Sequence, residues 1–208
     1  MYAQWVSNDT ISSEYFDVVS GVKSSGKEYI DLGFRPDASS SAVVTYGLDT
    51  ECNDVIFGYS NASNSYRLYN KGGKVFFDIN GTEISHSNNY NTGYMYSFEI
   101  GNFYLYSGDN PLASRDSLES FTANDNCYLF KGKSSNSTET VYALKVYQNG
   151  ILIRNLVPCR LKQDISVYDA AYRAADQSVH YTGEVGFWDF AEDVFYGNDS
   201  GRGSFVAK

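Results

Sequence analysis

A chain of 208 residues with 42% hydrophobic content and a formal net charge of −9 is long enough to bury one sizeable core, and a single domain is expected. The negative charge, with no cluster of Lys or Arg against it, excludes a nucleic-acid partner, whose phosphates it would repel. Aromatic residues make up 16%, carried by 19 Tyr and 13 Phe against two Met and three Pro, which favours strands over helices because flat rings pack well on a pleated surface. That also leaves more Tyr than a core needs, and Tyr is the side chain recognition surfaces use to stack and hydrogen-bond at once.

The N-terminal stretch MYAQWVSNDTISSEY has no basic n-region and no apolar h-region. No run elsewhere approaches a membrane span, so neither secretion nor membrane insertion is expected. Residues 1–13 read as an N-terminal arm and 14–208 as the domain. Short candidate strands then recur at EYFDVV, EYIDLGF, SAVVTYGL, DVIFGY, SYRLYN, KVFFDI, YMYSFEI, NFYLYS and CYLFKG, separated by Gly, Asn, Ser and Asp. This rhythm predicts a sandwich or barrel. Turns are explicit at Gly72-Gly73, Asn80-Gly81 and Gly101-Asn102, where the backbone needs positive φ, and they predict an antiparallel meander. The polar segment 107–126 is expected to be a long surface connection.

Beyond it, Tyr142, Leu144 and Val146 alternate up to Asn149-Gly150 and Ile151 to Val157 run back, which spells a hairpin with a type I′ turn. In the segment 164–179, Ile165, Tyr168, Tyr172, Ala175 and Val179 recur at helical spacing among alanines. A helix over about 163–180 is predicted, capped by Asp164 and packing its stripe on the sandwich or on a neighbour. A second hairpin follows in 183–207.

Catalytic and metal chemistry find little support. Cys52, Cys127 and Cys159 are an odd set without metal spacing and read as free thiols. His86 and His180 lie in unlike contexts, form no zinc pair, and read as surface residues. Asp189 reads as a turn-capping acceptor beside Glu192-Asp193. Five Asn-x-Ser/Thr triplets, at Asn8, Asn61, Asn80, Asn136 and Asn198, are uninformative in so Asn- and Ser-rich a chain. Sugar binding by a sandwich needs an aromatic platform and Asn or Asp side chains for the hydroxyls, in some cases with calcium holding the loop. The densest such cluster is 88–110, so the candidate ligand residues are Asn89, Tyr90, Asn91, Tyr94, Tyr104, Tyr106, Asp109 and Asn110. The competing reading is that one face of each strand is core and buries its Tyr.

The two C-terminal hairpins resemble the closing signature of laminin G-like domains in the concanavalin A-like lectin/glucanase superfamily, in the form met in bacteriophage virion proteins and surface proteins of gut bacteria. The matching residues are Val146-Tyr147-Gln148-Asn149-Gly150, Leu152 to Cys159, Gly186-Phe187-Trp188-Asp189, Phe195-Tyr196 and the final GRGSFVA. Glu14-Tyr15-Phe16 and Tyr29-Ile30-Asp31-Leu32-Gly33-Phe34-Arg35-Pro36 are similar to the family's opening. The insertion 161–182 departs from it.

The resemblance implies an all-β, antiparallel jelly-roll sandwich and a non-catalytic, lectin-like module. That module would bind glycan or cell-surface polysaccharide from a virion surface, after synthesis in the host cytoplasm, or from a bacterial cell surface. It implies equally a structural virion protein, such as a capsid decoration or fibre component, contacting other virion proteins. The Glu-x-Asp-x-x-Glu strand of the glucanases is absent, so the two carboxylates that glycoside hydrolysis requires are not expected, and neither is a resident cofactor.

Overall fold

The computed structural model describes residues 16–208 apart from 50–54, 62–63, 86–89, 92, 102–103, 108–109, 115–119, 133–135, 166–172 and 177. The N-terminal arm 1–13, Cys52, His86, Asn89 and Asp109 lie outside the described residues.

The strands in chain order are β1 (Phe16–Val18), β2 (Val22–Lys23), β3 (Ile30–Asp31), β4 (Ser40–Leu48), β5 (Val55–Asn61), β6 (Asn64–Lys71), β7 (Lys74–Ile79), β8 (Thr82–Ser85) and β9 (Tyr94–Gly101). They continue with β10 (Tyr104–Ser107), β11 (Asn110–Ser114), β12 (Tyr128–Leu129), β13 (Thr140–Gln148), β14 (Ile151–Leu161), β15 (Arg173–Ala174), β16 (Val185–Asp189), β17 (Val194–Tyr196) and β18 (Val206–Ala207). The larger sheet runs β11-β10-β9-β4-β13-β14-β16-β17-β15, with β1 beside β14, and with β2 bridging β13 to β18. The smaller runs β3-β12-β5-β6-β7-β8. Only the β15–β17 ladder is parallel; the other described ladders are antiparallel, and the chain is an all-β sandwich.

Alternation sets the core. In β4 every second residue, Ala42, Val44, Tyr46 and Leu48, is buried, as a two-residue period requires when one face is covered. In β13 the inward set steps from Val141 to Leu144 and Val146 because a register shift between Val141 and Ala143 inserts one residue. Facing them across the sandwich, β6 and β7 contribute Tyr66, Leu68, Val75, Phe77 and Ile79 to the same cluster. The Tyr66 ring sits edge-on to Phe57 and Phe77, with centroids at 6.1 and 5.2 Å. Its hydroxyl donates to the Ser40 carbonyl of the opposite sheet at 3.1 Å.

The predicted turns at Gly72-Gly73, Asn80-Gly81 and Asn149-Gly150 are present, and that at Gly101-Asn102 extends outside the described residues. Asn149 and Gly150 take φ of 52° and 74°, and Asn80 and Gly81 take 53° and 79°, closing the β13–β14 and β7–β8 hairpins as type I′ geometry demands.

Two expectations are corrected. The segment 107–126 is not only a surface connection: Asn110–Ser114 pairs with β10, and Phe121 and Ala123 are buried. A free β10 edge takes up a partner even from a weakly patterned sequence, since unpaired ladder groups favour pairing.

The helix is also not seen, since the described residues contain none, and none long and apolar enough to cross a membrane. Ile165 and His180 exchange backbone hydrogen bonds of 2.9 Å each, and Arg173–Ala174 joins β17. Asp164, instead of capping a helix, accepts from the amide and hydroxyl of Thr182 at 2.8 and 2.9 Å. Tyr168 and Tyr172 lie outside the described residues. Helix propensity is worth at most about 0.7 kcal/mol per ordinary residue, and pairing to the open β17 edge outweighs it. Ile165 nevertheless buries itself with Phe16, Cys159, Leu161, Trp188 and Phe195 on the outer face of the larger sheet. Of the predicted stripe, Ile165 is thus packed on the sandwich, whereas Val179 is exposed.

Candidate functional site

After β3 the chain turns at Asp31-Leu32-Gly33, where the Asp31 carboxylate accepts the Gly33 amide at 2.8 Å and Gly33 takes a φ of 67°, an Asx turn. The segment before β12 lies alongside: Leu32 donates its amide to the Cys127 carbonyl at 2.9 Å, and Cys127 donates to that of Phe34 at 2.8 Å. This pairing presents the Asn126 amide group to both carboxylate oxygens of Asp31, at 3.0 and 3.1 Å. From the distant end of the chain, Asp199 Oδ2 accepts the Asp31 amide at 2.6 Å, while the Asp199 amide donates to the Tyr29 carbonyl at 2.9 Å. Asp176 arrives from the turn after β15. Together with Gly33, Ala175, Tyr196 and Gly197 these residues line a cavity of about 230 Å³, room for one small polar molecule.

Asp176 is held by His180. The histidine, expected at the surface, is 3% exposed, because its ring packs edge-on to Phe195 at 5.0 Å and against the backbone of Gly197, where a Cβ would fall 2.3 Å from His180 Cε1. Its Nε2 meets Asp176 Oδ1 and its Nδ1 meets Glu184 Oε1, both at 2.9 Å. Burial works to lower its pKa, but the two carboxylates prevail and raise it to about 9. For Asp176 burial is likewise opposed, and the hydrogen bonds from His180 and Ser178 hold the carboxyl far below the usual range. His180 is thus a charged pin with both nitrogens engaged, leaving neither for proton abstraction nor for a metal. Burial, then the charges of Asp176 and Asp31, outweigh the Asp31 amide and push Asp199 up to about 6.

The pin sets a pH dependence. A histidine whose folded pKa lies above its unfolded value contributes fully below about pH 6.5 and loses that contribution as pH rises through about 9. We expect His180→Gln to cost about 2–3 kcal/mol at pH 7, since it leaves two carboxylates without their cation. It should also flatten the stability lost between pH 7 and 9, which urea unfolding across that range measures. A variant that loses stability with pH as steeply as the parent would refute the charged pin.

Of the predicted sugar platform, the side chains of Tyr90, Asn91 and Tyr94 lie among the described residues. Tyr90 is half-buried, edge-on to Tyr96 and Phe98 with centroids at 4.9 and 5.3 Å. The Tyr96 hydroxyl accepts the Asn91 amide at 3.0 Å, so this pair closes the core above Phe98. Tyr94 is 61% exposed and remains available. By register Tyr104 stands opposite Gly101 and Tyr106 opposite Glu99. Asn110 begins β11 opposite Ser107.

Asp189 caps its turn as expected, accepting the amides of Asn155 and Ala191 at 2.8 and 2.9 Å. Cys127 and Cys159 are buried free thiols. Among the described residues no three His, Cys, Asp or Glu side chains are grouped to hold a metal ion.

Sequence reasoning missed Asn126, Asp176 and Asp199. Only Asp31 carried a signal, its Asp-x-Gly spacing marking an Asx turn. No known family model matches this chain, and no curated protein sequence matches it.

Proposed function

We propose that this chain is a non-catalytic recognition module that binds carbohydrate from the surface of a phage virion or a bacterial cell. The observation that supports this most is the cleft of Asp31, Asn126, Asp176 and Asp199 beside Tyr196. Carboxylate acceptors, an amide and a phenol around a cavity of about 230 Å³ match the donors and acceptors that a sugar ring carries on every side. The resemblance of both chain ends to laminin G-like domains adds to the reading. His180, whose nitrogens are both engaged, offers no base to a nucleophile.

The test is a glycan array followed by titration of the hits. Asn126→Ala should weaken binding about tenfold, the loss of one hydrogen-bonding group, while Tyr94→Ala leaves it unchanged. The reverse pattern would move the site to the 88–110 platform. Incubation with β-glucans, mucin glycans or capsular polysaccharide should release no reducing sugar. The alternative reading, a structural virion brick, is favoured by Tyr94, a large ring 61% exposed at the start of β9. Absence of binding to every glycan, with incorporation into particles lost in Tyr94→Ala, would establish that reading instead.

A further inference from the structure

The cleft is more than polar. Three of its lining residues, Asp31, Asp176 and Asp199, are acidic, and none is Lys or Arg. Asp199 is additionally pushed up to about 6 by burial and by the other two charges. The nearby cations are already committed: His180 to Asp176 and Glu184, and Arg154 to the Leu32 carbonyl and to Glu192. A second feature is independent of charge. Tyr196 lines the cavity and is 4% exposed, yet its hydroxyl has no hydrogen-bond partner among the described residues, and it is not among the side-chain atoms shut off from solvent. A buried phenol left in this state is an acceptor and donor awaiting a ligand.

Resting on the carbohydrate reading above, we propose that the cleft selects a sugar with a free amine, whose ammonium group sits among Asp31, Asp176 and Asp199 while Asn126 and Tyr196 take its hydroxyls. A metal ion suits the arrangement less well, because among the described residues no three His, Cys, Asp or Glu side chains are grouped to hold one, whereas an ammonium needs only one or two carboxylates within hydrogen-bond reach and the field of the third. A lysine side chain suits it less well too, because its tetramethylene stem needs apolar walls and this lining is Asp, Asn, Gly and Ala apart from Tyr196. In a partly dry cleft an ammonium gains from each carboxylate more than it would in water, so charge complementarity decides between otherwise similar sugars.

Calorimetric titration of the full chain at pH 7 with glucosamine, N-acetylglucosamine, glucose and calcium chloride tests this. Glucosamine should bind at least about tenfold more tightly than either neutral sugar, and added salt should narrow the gap. Asp199→Asn keeps the side-chain oxygen that accepts the Asp31 amide and removes one of the three charges, and it should cut the preference severalfold. Should that variant fail to fold, the parent protein at pH 5, where Asp199 takes up its proton, should show the same loss. The groups facing Asp199 there are Asp31, Asp176, whose carboxyl is held far below the usual range, and His180, already charged. Equal affinity for all three sugars would overturn the amine preference and leave the recognition reading standing. Binding of none of them, in a chain that also gives no signal on the glycan array, would sink both. Calcium binding more tightly than glucosamine, and lost in Asp199→Asn, would overturn the inference in favour of a metal site.

Discussion

Gly58→Ala will destabilise the domain by about 3–5 kcal/mol, the range of substitutions that force backbone apart in a packed sheet. Gly58 has a φ of 126°, a conformation that residues with a Cβ avoid. The added carbon would also fall 2.1 Å from the Tyr66 carbonyl oxygen and 2.5 Å from Arg67 Cα. Both are backbone atoms of the neighbouring strand β6, so no rotamer change relieves the overlap, and the β5–β6 ladder must open where it is already shifted between Val55 and Phe57. Gly72→Ala is the control. Gly72 also has positive φ, 57°, but its Cβ would meet nothing within 4 Å, and a cost of about 1 kcal/mol is expected from conformation alone. Urea unfolding of the two variants compares them directly; equal losses would refute the overlap argument. Gly58 also pairs with Tyr128, two residues from Asn126, so ligand affinity should fall with stability in Gly58→Ala and not in Gly72→Ala.

Arg154→Met will cost about 3–5 kcal/mol, the penalty for stranding a buried charge. Arg154 is 5% exposed. Its Nε donates to the Leu32 carbonyl at 2.9 Å, and its Nη1 meets Glu192 Oε1 at 2.6 Å. Asp189 Oδ2, fully buried and with no hydrogen bond, lies 3.8 Å from the Arg154 Nε. Without the guanidinium that oxygen faces an apolar interior alone. Burial already raises the Asp189 pKa, against the pull of its hydrogen bonds and of Arg154, so the variant should take up a proton at a higher pH than the parent. The double variant Arg154→Met with Asp189→Leu removes both charges and should recover part of the loss, although Leu also deletes the acceptor for the Asn155 and Ala191 amides. Full additivity of the two single losses would show that the charges do not interact.

The Arg154–Asp189 contact joins two separate blocks of the chain. Leu152-Ile153-Arg154-Asn155 and Gly186-Phe187-Trp188-Asp189 are far apart in sequence and adjacent in space, with Leu156 opposite Asp189 in the β14–β16 ladder. That an ion pair and two amide bonds join them was not legible, because nothing local to Arg154 states that a carboxylate stands beside it.

The limits of the 164–179 reading have a similar cause. Helical spacing of Ile165, Tyr168, Tyr172, Ala175 and Val179 reports that one side of the segment is to be buried, and Ile165 is buried. It does not report that β17 has an edge open to Arg173 and Ala174. His180 read as a surface residue because its two carboxylates, Asp176 and Glu184, would be ordinary solvated charges if the insertion did not fold back over Phe195.

What the amino-acid sequence determined by itself is local and periodic: strands where residues alternate, turns where Asn80-Gly81 and Asn149-Gly150 accept positive φ, and an all-β class from the excess of aromatic residues. These follow from backbone sterics and a two-residue period that act over a few positions. Only the tertiary structure decided which alternating face of each strand is inward, that Arg173 and Ala174 pair with β17, and that Asp31, Asn126, Asp176 and Asp199 share one cavity. The Asp31–Asp199 contact spans 168 residues, and a meeting at that distance depends on strand order and on how the two sheets pack, neither of which any short stretch of sequence encodes.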